Sequence, residues 1–200
     1  MSSLSCDNCR VIYNLSAIET DTDGGSLLDG RFVDASVGYA LRPVNNERLN
    51  ILAHYRYLND DFGQEIDGIA GAGFVQESHV FNIEGNYDLD QYWIFGAKIG
   101  GRFAESAVDR SSARDSNDAV LAVMNFRYHL VHNWDVLVEG RYFEAIDAGL
   151  SETSALLAAY RHVGNNAKIG VGYNFGSFSD DLTDLTQDDK GLFVNLIAKF

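Results

Sequence analysis

Apolar residues recur at every second position over long stretches of this chain, and no other feature restricts its fold as tightly. In 49–57, Leu49, Ile51, Ala53, Tyr55 and Tyr57 alternate with Asn50, Leu52, His54 and Arg56. Trp93, Phe95, Ala97, Ile99, Gly101 and Phe103 alternate with Ile94, Gly96, Lys98, Gly100 and Arg102. Val120, Ala122, Met124, Phe126, Tyr128 and Leu130 do so against Asn125, Arg127 and His129, and 134–142 and 167–175 repeat the pattern. Successive side chains of a strand point to opposite faces, so such runs build strands with one apolar and one polar face. No segment carries a convincing helical stripe, although 152–161 can be read as a short one. The chain reads as all-β.

The alternation predicts ten strands, at about 10–18, 30–42, 48–58, 74–87, 92–103, 119–131, 134–144, 154–163, 167–177 and 191–200. Long connections (19–29, 59–73, 104–118, 145–153 and 178–190) alternate with short ones (43–47, 88–91, 132–133 and 164–166). That rhythm belongs to an antiparallel up-and-down arrangement with two different ends. The single proline, Pro43, falls in a short turn, where its missing N–H costs the sheet nothing. The expected division is an N-terminal extension over 1–9 and one domain over 10–200.

Composition narrows the function classes. A net charge of -14 argues against a nucleic-acid binder, which needs excess basic charge to displace phosphate counterions. No run approaches the roughly 20 apolar residues of a membrane helix. The beginning, MSSLSCDNCR, lacks a charged-then-apolar signal pattern.

Two architectures suit such strands. A soluble sandwich or lipocalin-like barrel turns the apolar face inward, and a membrane barrel turns it toward lipid. The polar face holds Arg42, Arg56, Lys98, Arg102, Arg127, Arg141, Arg161, Lys168 and Lys199, with Gly38, Gly96, Gly100, Gly170 and Gly172. Glycine is a poor choice for a solvated strand surface and suits the crowded inside of a narrow barrel. Aromatics gather near strand ends, among them Tyr55, Tyr57, Trp93, Phe103, Tyr128, Trp134, Tyr142 and Tyr173, as in interfacial girdles. The expectation is an antiparallel transmembrane barrel of about ten strands.

The last segment, 191–200, alternates through Leu192, Val194, Leu196 and Ala198 and stops on Phe200. It resembles the C-terminal assembly signal of Gram-negative outer-membrane barrels. The stretch 172–175, followed by 179–185 and the closing strand, resembles the C-terminal barrel of large repeat-bearing bacterial surface proteins. The resemblance implies an outer-membrane location, periplasmic termini and long acidic loops outside. Its implied partners are outer-membrane lipid and lipopolysaccharide, the barrel-assembly machinery, and a fused or associated surface or periplasmic protein. With no signal peptide ahead of the first strand, the chain is expected to be a mature or truncated product, or the end of a longer precursor.

Candidate sites follow from the same reading. Inward bases would share three inward acids, Glu84, Asp135 and Glu139, because a charge in a narrow lumen is costly unless paired. Cys6 and Cys9 lack the following His of a haem site and the other half of a four-cysteine zinc site, and suit a local disulfide or a link to a partner in an oxidising compartment. Nineteen of the 29 acids lie in the long connections; there Asp21 and Asp23 offer a weak calcium motif without an EF-hand's closing glutamate. His54 and His129 alternate inward, and His79 and His162 fall on apolar faces. No nucleophile elbow or paired-carboxylate arrangement occurs, so neither enzyme activity nor a cofactor is expected. The function expected is a membrane anchor or structural component. A narrow anion-preferring channel is the alternative, and an omptin-like protease stands a distant third.

Overall fold

The computed structural model describes residues 2–6, 8–20, 30–61, 64–66, 69–71, 75–108, 112–130, 133–164, 167–177, 182 and 190–198. Its elements are all strands: β1 (Ser2–Cys6), β2 (Cys9–Thr20), β3 (Gly30–Leu41), β4 (Leu49–Asp61), β5 (Gln64–Ile66), β6 (Ile69–Gly71) and β7 (Val75–Asp88). There follow β8 (Trp93–Ala107), β9 (Asp115–Ser116), β10 (Ala119–Leu130), β11 (Trp134–Ala145), β12 (Leu150–Val163), β13 (Ala167–Asn174) and β14 (Gly191–Ala198). One antiparallel sheet runs β1-β2-β3-β4-β7-β8-β10-β11-β12-β13-β14; β9 pairs with β8, and β5 with β6 form a separate hairpin.

Each of the ten expected strands has its counterpart in this path. The path holds eleven strands rather than ten, with β1 and β14 at its two ends and, among the described residues, no pairing that closes it. Two further expectations need correction. Residues 1–9 are not merely an extension: Ser2–Cys6 pairs with β2, Ser2 opposite Tyr13 and Cys6 opposite Cys9. The connection expected over 145–153 is a turn over 146–149, closed by Gly149 at φ 61°, a left-handed value that glycine adopts without a Cβ clash. The β11–β12 pairing therefore continues to Ala145↔Leu150, which period two alone does not reveal because Ser151 and Thr153 break the apolar face.

One face of the sheet is buried. Val80, Arg102, Ala119, Leu121, Val123, Asp135, Leu137, Arg141, Leu156, Ala158 and Asn174 are buried, and the registers place them all on one side. Among the described residues, part of the cover on this face comes from its own side chains and from Leu182. The opposite face carries the large apolar residues. Ile99 is 68% exposed while Leu121, on a neighbouring strand and the other face, is 1% exposed. Leu15, Ile83, Met124, Val171 and Leu192 are likewise exposed.

Two packed clusters occupy the inner face. Val80, Ala119, Leu121 and Val123 enclose Leu182, from the connection between β13 and β14, with Phe143 against them. Leu137, Leu156 and Ala158 pack with Tyr160 and Phe193. Inner-face glycines make room for these side chains. A Cβ at Gly100 would stand 2.8 Å from Leu182 Cδ1 and 3.1 Å from the Phe81 carbonyl, and one at Gly170 would strike the Tyr160 ring.

Candidate functional site

A dense group of polar side chains lies where β10, β11, β12 and β13 approach the short-turn end. Asp135 is the second residue of β11, and antiparallel register sets His129 of β10 directly opposite it. On the other side it faces Tyr160, whose strand carries His162 two residues on; Lys168 of β13 is opposite His162. Four strands thus deliver one carboxylate and three nitrogens to one point. His129 Nδ1 donates to Asp135 Oδ1 at 2.5 Å, while His162 Nε2 and Lys168 Nζ donate to Oδ2, each at 2.9 Å. The carboxylate is 5% exposed, and His129 remains 47% exposed. Beside it opens a cavity of 310 Å³, with Asp88, Asp90, Tyr92 and Arg127 also in its wall.

Two other inner-face acids are paired locally. Arg141 Nε donates to Glu139 Oε1 at 2.6 Å, with side chains 7% and 12% exposed. Arg56 makes a two-pronged contact with Asp34, Nε to Oδ1 at 2.9 Å and Nη2 to Oδ2 at 3.1 Å. Such a fork couples charge to geometry and holds the pair in one orientation. Glu84 lies opposite Lys98 across β7 and β8. A second cavity, of 540 Å³, is lined by Arg42 and Glu84 along with Arg10 and Asn50, and Arg42 also donates to the Glu47 carbonyl at 3.2 Å. Arg102 is buried between Val80 and Ala119.

Arg161 is a correction. It stands opposite Trp134 on the outer face, with its guanidinium 5.7 Å from that ring's centroid, and is exposed. His162, expected on an apolar face, points inward to Asp135 instead. Both errors share one cause. Leu156, Ala158 and Tyr160 on one side of β12 are as apolar as Ala155, Leu157 and Ala159 on the other, so hydropathy does not assign its faces. Asp34 was missed although its parity with Ser36 and Gly38 places it inward.

Cys9 is disulfide-bonded, and Cys6, the only other cysteine, is its register partner in the β1–β2 pairing. Leu192, Val194 and Leu196 stand exposed on the outer side of β14, as does Ala198. Phe200, Lys199, Asp21 and Asp23 lie outside the described residues. At the long-connection end, Arg114 donates to Glu77 at 3.1 Å and Glu105 at 3.3 Å. His79 lies on the outer face there, hydrogen-bonded to the Tyr55 hydroxyl at 2.9 Å.

No protein-family model matches the chain, and no curated protein or solved structure is significantly similar to it.

Proposed function

We propose that the chain is a small outer-membrane β-barrel that anchors a fused segment or partner complex. The observation that carries this is the inversion of burial: charged residues such as Arg141 and Asp135 are covered, while the aliphatic residues of the other face are bare. In water that arrangement forfeits apolar burial, whereas in lipid it supplies the outward apolar band of a transmembrane barrel. Dimensions agree. On β8, Trp93 and Phe103 are ten residues apart, about 33 Å along a strand, and a tilt near 40° reduces this to about 25 Å, the height of such a band. Ring contacts cluster at the same two levels, Trp93 with Tyr128 below and Phe81 with Phe103 above.

Membrane residence requires closure, because unpaired strand edges are not tolerated in hydrocarbon. β1 and β14 both run toward the short-turn end, so they could pair only in parallel. β2 runs the other way, and β1 covers only residues 9–13 of it. In the proposed barrel β14 pairs antiparallel with the remaining edge, residues 14–20, giving ten main strands. The acidic long connections then face outward from the cell.

The packed inner face favours an anchor over a channel. Asp34, Glu139 and Asp135 already neutralise Arg56, Arg141 and Lys168, and Arg161 does not face inward, so the positive surplus behind an anion pore shrinks. The test is folding into detergent followed by planar-bilayer recording. A barrel anchor migrates differently on a denaturing gel before and after boiling, and leaves the bilayer silent. Equal migration of verified folded protein rejects the barrel, and steady ion-selective steps reject the plugged interior.

A further inference from the structure

We propose that His129, Asp135 and His162 form a binding site for a divalent transition-metal ion of the zinc, copper or nickel class. The inference does not rest on membrane insertion, because the residues meet through strand register alone. One ligand atom from each of the three residues falls within 4.8 Å of the other two, and the carboxylate among them is buried. Two imidazole nitrogens with one carboxylate oxygen suit borderline metals better than calcium or magnesium, which take oxygen ligands.

The fit is close. Ligands about 2.1 Å from a tetrahedral ion stand roughly 3.4 Å apart. At present His129 Nδ1 lies 2.5 Å from Asp135 Oδ1 and His162 Nε2 lies 2.9 Å from Oδ2, each spanned by a hydrogen bond in place of an ion, and one ligand atom of each residue lies within 4.8 Å of the others. Seating an ion takes adjustments of about 1–1.5 Å in these separations. His129 supplies most of that freedom, being half exposed, while Asp135 is held by the sheet. The adjoining 310 Å³ cavity leaves the remaining coordination positions to water or a small anion.

Lys168 acts against the ion. Its ammonium lies 2.9 Å from Asp135 Oδ2 and repels any cation bound there. It can keep Oδ2 while the metal takes Oδ1, fixing the carboxylate as outer partners do in metal sites. Removing its charge should then tighten binding, an effect that a purely structural ion cluster does not produce.

The experiment titrates the folded, tag-free full chain with Zn²⁺ calorimetrically and with Cu²⁺ by electron paramagnetic resonance. One ion per chain is expected, with nitrogen hyperfine structure from two imidazoles. His129→Ala and His162→Ala should each weaken binding at least tenfold, His54→Ala should leave it unchanged, and Lys168→Met should strengthen it several-fold. Far-UV dichroism establishes that each variant is folded; should His162→Ala fail to fold, His129→Ala and Lys168→Met decide the matter. Absence of stoichiometric binding, or binding indifferent to His129 and Lys168, overturns the proposal.

Discussion

The two ends of the inner face solve the same problem by different means. Toward the long connections, Leu121, Val123, Val80 and Leu182 pack closely, and the Glu139–Arg141 pair is almost fully covered. Toward the short turns, Asp135 gathers His129, His162 and Lys168 beside an open cavity. In the first region the paired charges are covered, with little water to replace a lost partner. In the second, several partners and solvent share the load. Identical chemistry, one carboxylate against cations, should therefore carry different weight at the two ends.

The sharpest break in this comparison is Glu139→Gln. It takes the Glu139 carboxylate away from Arg141 in a covered site, and removing one member of a buried pair costs about 3–5 kcal/mol. Thermal or denaturant unfolding should show a far larger loss than for Asp147→Asn, an equal charge change in an exposed turn where Asp147 accepts from the Asp118 amide at 2.6 Å. Equal losses for the two would remove the distinction between a covered pair and a surface one.

Next comes Leu121→Ala, with an expected cost of about 2–5 kcal/mol from lost burial and the cavity left behind. Calorimetric unfolding measures it, and a loss below about 1 kcal/mol would mean that the cluster around Leu182 is loosely packed.

The smallest effect is expected from Asp135→Asn, about 1–2 kcal/mol, since water reaches His129 and Lys168 and can stand in for the carboxylate. Raising salt should erode the wild-type advantage here, because exposed partners are screened, and should barely touch the Glu139 pair. A salt-independent loss as large as that of Glu139→Gln would show both ends to be equally dry.

Much of this was legible beforehand. Period two located all ten main strands, because alternation is a local consequence of the pleat. Parity alone placed Arg56, Lys98, Arg102, Arg127, Arg141, Asp135, Glu139 and Lys168 on one face together. It failed on β12, where both faces are equally apolar, and so Arg161 and His162 exchanged sides. It also overlooked β1, whose Ser2, Ser3 and Ser5 carry no apolar signal of their own and gain strand geometry only from pairing with β2.

By itself, then, the order of residues determined the ten longer strands, the long-and-short rhythm of most connections and the faces of clearly amphipathic strands. Each of these depends on neighbours within a few positions. The meeting of His129, Asp135, His162 and Lys168 depends on the register of three strand pairs, and the seating of Leu182 against Gly100 on the return of a distant connection. Only the tertiary structure decided those, since register is set by packing summed over whole strands and leaves no mark at the residues it brings together.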